Sequence, residues 1–85
     1  MNRIPSPRNV VVANAVLSFM KIQINGEEKQ VKEGLYLVGL LDELEIRPAR
    51  VVVEVNRQIV ARHAYGSTLI NDGDVLEIVH FVGGG

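Results

Sequence analysis

The sequence predicts a small α+β domain, a mixed sheet of four to five strands with one main helix packed on one face. Three observations carry this. Residues that alternate polar and apolar flank an Asn-Gly pair at 25–26. An apolar stripe at helical spacing runs from Leu37 to Leu44. Valine-rich segments follow at 51–55 and 75–82. The chain has 85 residues, enough for one domain, and 47% of them are apolar, so composition permits a core.

The composition shifts near Met20. Residues 1–19 hold Arg3 and Arg8, two of the three prolines and no acidic residue, hence +2. Residues 20–85 hold seven Lys/Arg and ten Asp/Glu, hence 7 - 10 = -3. Residues 1–19 read as an N-terminal extension that opens on a flexible arm, "MNRIPSPRN". For "VVVANAVLSF" three readings stay open: a short helix, an added strand, or translated upstream sequence with Met20 as the natural start.

From Met20 each element has a reason. "KIQIN" places Ile22 and Ile24 on one face, and Asn25-Gly26 is a strong hairpin signal because both positions tolerate positive φ. "EKQVK" returns with Val31 inward. Leu37, Leu40, Leu41 and Leu44 fall at i, i+3, i+4 and i+7, one stripe of a helix, with Asp42, Glu43 and Glu45 off it. Gly39 costs that helix roughly 1 kcal/mol relative to Ala. It either allows close approach to the sheet or is simply tolerated. Pro48 ends the helix by disfavouring helical geometry at Arg47. "VVVEVN" is the next strand, Asn56-Arg57 a turn, "QIVA" a short strand and "NDGD" a second turn. The last strand sets Leu76, Ile78 and Val82 on one face and Val75, Glu77, Val79 and Phe81 on the other. A charge at Leu41 or Val53 is expected to unfold the domain.

Several functions are disfavoured. A net charge of -1 argues against nucleic-acid binding through a basic surface. The absence of cysteine removes disulfides, thiolate catalysis and cysteine metal sites. No run approaches the ~18 apolar residues that span a bilayer, because Asn14 and Ser18 interrupt residues 10–20. That segment, with Arg3 and Arg8 ahead of it, resembles a signal peptide only faintly. Pro5 and Pro7 sit oddly there, and no small-residue cleavage site follows. The cytoplasm is the expected compartment. His63 and His80 are 17 residues apart, without metal-ligand spacing, and His80 reads as strand-edge packing. Asn71, Asp72 and Asp74 lack the further ligands of a calcium loop and read as a turn. Ser67 and Thr68 show no partnered base. The acidic residues beside the leucine stripe read as a solvated helix face.

The chain stops on "HFVGGG". Three terminal glycines pack no side chain and lose the most entropy on ordering, so Gly83–Gly85 are expected to form a mobile tail. They are not a phosphate-binding loop, which needs a helix after the glycines. The unusual group is the terminal carboxylate of Gly85. It is ionised near neutrality and able to attack a nucleotide phosphate to form an acyl adenylate.

Taken together, "MKIQINGEE", the leucine helix, "VVVEVNRQIVAR" and "NDGDVLEIVHFVGGG" resemble the ThiS family of sulfur carriers, over residues 20–85. The resemblance implies a ubiquitin-like β-grasp fold for 20–85. It also implies a cycle in which this domain is a protein cosubstrate, not an enzyme, and binds no cofactor itself. A ThiF-type adenylyltransferase would adenylate Gly85 with ATP. Sulfur from a cysteine desulfurase route would replace the AMP, and thiazole synthase would take it from the thiocarboxylate. Gly83 and Gly84 would thread a partner's channel, and Val79, Phe81 and Arg62 would meet partners. The free domain is expected to be a monomer. Residues 1–19 have no counterpart in the family, and Arg57 stands where a turn glycine is usual. Two alternatives stay open. One is a molybdopterin-synthase small subunit (MoaD-like), although that family usually carries more sequence between helix and third strand than 46–50 here. The other is a ubiquitin-like protein modifier joined through Gly85.

Overall fold

The computed structural model describes residues 9–12 and 15–82. Within them lie six strands and one α-helix: β1 (Asn9–Val12), β2 (Ala15–Ile24), β3 (Glu27–Lys32), α1 (Leu37–Glu43), β4 (Val51–Val55), β5 (Gln58–Ile59) and β6 (Val75–His80). Short 3-10 helices cover Pro48–Arg50 and Arg62–Ala64.

Two local signals build the sheet. At Asn25-Gly26 both residues take positive φ, 51° and 83°, which folds β3 back antiparallel on β2 from Ile24↔Glu27 to Phe19↔Lys32. β6 then pairs parallel with β2 at Gln23↔Val75 and Ile24↔Leu76, and antiparallel with β4 from Val51↔His80 to Val55↔Leu76. β5 closes the other side on β4. The strand that carries the C-terminal tail is therefore central, held between β2 and β4.

The expected strand alternation and leucine stripe meet in one core. Met20, Ile22 and Ile24 of β2, Val51 and Val53 of β4, and Leu76 and Ile78 of β6 are buried with Leu37, Leu40 and Leu41 of α1. Val31, Leu44 and Val55 pack against that cluster. The helix stops where its C-cap, Leu44, gives way to Glu45 at φ 60°. The Ile46 N–H donates to the Leu41 carbonyl and the Glu45 N–H to the Asp42 carbonyl, a Schellman closure. Gly39 does not serve close approach to the sheet, since a Cβ there would meet only Leu35 Cδ2, at 3.3 Å.

Three expectations change. The sheet has six strands among the described residues rather than four to five. The additional one is β1, paired antiparallel with Ala15–Ser18 of β2. Between helix and strand for 10–19, the described residues are strand, and Met20 lies inside β2 rather than at its start. The arm ahead of Asn9 lies outside the described residues. Val82 does not join the Leu76/Ile78 face, and His80 is exposed rather than packed at a strand edge. β6 ends at His80, which is exposed, and Val82 is fully exposed at 101%. The reason is that β4 begins at Val51, opposite His80, so the ladder has no further partner strand.

The helix start is built by tertiary contact. Tyr36 makes no side-chain cap. Instead the N–H groups of Leu37 and Val38 donate to the carbonyls of Thr68 and Tyr65, at 2.8 and 3.0 Å. These groups would otherwise be orphan donors at the first turn. The same loop inserts Tyr65 and Ile70 into the core.

Candidate functional site

The candidate site is the end of β6 and its surroundings. The last backbone bond along this edge runs from the Phe81 N–H to the Arg50 carbonyl, at 3.2 Å. Arg50 closes the 3-10 helix that Pro48 starts, because proline fixes φ and suits the first helical position. One residue earlier, the Ala49 carbonyl receives Arg62 Nη2 at 3.5 Å, a long contact. Arg62 and Phe81, far apart in sequence, are thus both fastened to Pro48–Arg50 at the point where the chain leaves the sheet.

Strand alternation decides what surrounds that point. The face of β6 away from α1 carries Val75, Glu77 and Val79. Val79 lies directly across from Val52, and Glu77 from Glu54. Val79 is 58% exposed, Phe81 41% and Val52 41%. Sequence reasoning named Val79, Phe81 and Arg62 and missed Val52, although the valine run of β4 puts it on the solvent face by alternation. Phe81 is partly exposed, neither folded wholly over the core nor free. Gly83, Gly84 and Gly85 lie outside the described residues.

Exposed apolar side chains clustered beside one another mark an interaction surface more often than scattered ones do. Glu54 and Glu77 face each other across the ladder, and like charges in that position destabilise a sheet.

The other polar candidates have structural roles or none. Asp74 is buried; its carboxylate accepts the Asn71 N–H at 2.8 Å and Asn56 Nδ2 at 2.9 Å. Asp72 accepts the Lys21 N–H at 2.8 Å, so "NDGD" is a turn locked onto β2 and the Asn56 turn. Ser67 and Thr68 both donate to the Ala64 carbonyl, at 3.2 and 2.7 Å. Glu43 pairs with Lys32 at 3.8 Å, half-exposed on both sides. His63 is exposed on the 3-10 helix Arg62–Ala64. Among the described residues, no three His, Cys, Asp or Glu side chains gather as a metal site.

Comparison with known proteins agrees with this geometry. The ThiS family model matches residues 22–85. The sulfur carrier protein ThiS of Bacillus subtilis is 38% identical over 65 residues, which cover 75% of this chain and 98% of that protein. The crystal structure of a thiamine biosynthesis protein (ThiS) from Geobacter metallireducens aligns with a TM-score of 0.67 at 34% identity, covering 78% of this chain and 100% of that one. The thiazole synthase of Magnetococcus marinus is 44% identical over 66 residues, and this chain spans 20% of that protein's length. With the β-grasp sheet, the helix on one face and the C-terminal strand at its centre, the chain belongs to the ThiS family, the sulfur carriers of thiamine biosynthesis.

Proposed function

We propose that this chain carries sulfur on its own C-terminal carboxylate and acts as a cosubstrate rather than as an enzyme. A ThiF-type enzyme binds the Val52, Val79 and Phe81 face with Arg62 beside it, and draws the Gly83–Gly84 tail into its channel. The Gly85 carboxylate attacks the α-phosphate of ATP, pyrophosphate leaves, and an acyl adenylate forms. A persulfide from a cysteine desulfurase route attacks the acyl carbon and AMP leaves, giving an acyl disulfide; a thiol of the partner then attacks the outer sulfur of that bond, forming its own disulfide and releasing the thiocarboxylate. Thiazole synthase then receives the sulfur. ATP is bound by the activating partner and not by this domain. The cycle belongs in the cytoplasm.

The observation that carries this reading is the construction of the β6 end. A central strand is pinned up to the Phe81–Arg50 bond, Val82 stands clear of the sheet, and Gly83, Gly84 and Gly85 follow in sequence. Such a tail places a carbonyl in a narrow channel without side-chain clashes. The thiazole synthase relatives, which contain a segment similar to this chain, support thiazole synthase as the acceptor.

Reconstitution with thiazole synthase, the activating enzyme, ATP and a sulfur source tests it. Thiazole forms with the full chain and not with a Gly85 deletion of equal melting temperature. Equal thiazole yield from the deletion contradicts the reading.

A further inference from the structure

We propose that Asn25 is a positioning residue for the C-terminal tail, acting through β6; this rests on the reading that Gly85 is the reactive end. β2 pairs with β6 by only two residue pairs, Gln23↔Val75 and Ile24↔Leu76. At Asn25 the chain turns away into the hairpin, with φ 51°. The ladder nevertheless continues. The Asn25 N–H donates to the Leu76 carbonyl at 2.9 Å. Its side-chain amide then reaches one step further along β6. Oδ1 accepts the Ile78 N–H at 2.7 Å, and Nδ2 donates to the Ile78 carbonyl at 3.1 Å.

An amide side chain carries one carbonyl and one N–H donor pair, the same groups as a peptide unit. Here it replaces the strand residue that the turn removes. Among the described residues, Ile78 is the furthest point along β6 held from the β2 side, and the tail begins five residues later at Gly83. Without Asn25 the distal half of β6 hangs on β4 alone. Loosened on that side, the end of β6 and the tail beyond it shift relative to the sheet, while the β4 ladder keeps Val79 opposite Val52.

The turn after β4 supplies a control at the other end of β6. Asn56 also has φ 51° and also bonds β6 through backbone and amide: its N–H donates to the Val75 carbonyl at 2.7 Å, and its Oδ1 accepts the Val75 N–H at 2.9 Å. It grips the start of β6, whereas Asn25 grips the end that feeds the tail. Glycine at either position keeps the positive φ and removes only the amide, which at position 56 also donates Nδ2 to the buried Asp74 carboxylate.

The experiment compares full-length Asn25→Gly and Asn56→Gly by pyrophosphate release with the adenylating enzyme and ATP, and by amide hydrogen exchange. Both variants are used at temperatures where thermal melts show them folded. Asn25→Gly is expected to lower kcat by on the order of tenfold, since small misplacements of a reacting group are costly, with KM little changed because β4 still holds Val52 against Val79. It also speeds exchange at Val79 and Phe81, and Asn56→Gly does neither. Equal kcat for the two folded variants overturns the inference, whatever their stabilities. If the wild-type chain itself releases no pyrophosphate, the tail-activation reading fails. The exchange comparison then decides alone: faster exchange at Val79 and Phe81 in Asn25→Gly only upholds the positioning role, and equal exchange overturns it.

Discussion

Arg57 holds φ 71° beside Asn56 at 51°, the pair of positive angles that a two-residue hairpin of the primed type demands. Asparagine tolerates this region, and arginine does so at a cost in steric strain. Arg57 is exposed, so its side chain offers little to offset the strain. Arg57→Gly is therefore expected to stabilise the fold by about 0.5–1 kcal/mol, net of glycine's larger entropy in the unfolded chain. A higher denaturation midpoint with an unchanged slope would show it. The turn at 56–57 was legible in the sequence, as was the misfit of arginine there. The reach of Asn25 was not. Its partner, Ile78, is 53 residues away, and nothing local distinguishes an asparagine that only turns from one that also extends a ladder.

Among the elements, those with a regular period were legible and those without one were not. Leu37, Leu40 and Leu41 repeat at helical spacing, and all three are buried; Val51 and Val53 alternate with Val52 as a strand should. The segment between β5 and β6 has no period, so the burial of Tyr65 and Ile70 left no trace in the pattern. Yet that segment caps α1 through the carbonyls of Tyr65 and Thr68, and the Ile70 N–H donates to the Leu35 carbonyl at 3.0 Å. Ile70→Ala is expected to cost about 2–5 kcal/mol, the range for a buried isoleucine truncated in a core. Urea unfolding measures this; a loss below 1 kcal/mol would show the loop to be a mere connection. The N-terminal hairpin was legible only as one of several options. Its uncharged stretch suits helix, strand or leader alike, and its choice of strand follows from pairing with the first residues of β2.

For the molecule as a whole, the sheet divides its labour. One face, with α1, holds the core; the other carries Val52, Val79 and the opposed Glu54 and Glu77; the central strand, β6, is the one that leads in sequence to Gly83. Val79→Asp should therefore leave folding nearly intact, because Val79 is 58% exposed, while weakening binding to the activating enzyme by about 2 kcal/mol or more, the scale of an interface hot spot. Calorimetric titration against the enzyme, with a melting curve as control, would register both. The most direct test of the chemistry at Gly85 is the intact mass of the chain after incubation with the activating enzyme, ATP and a sulfur source. Replacement of one oxygen by one sulfur, localised to Gly85, is the expected result. An unchanged mass with a competent partner, or sulfur on any other residue, would contradict it.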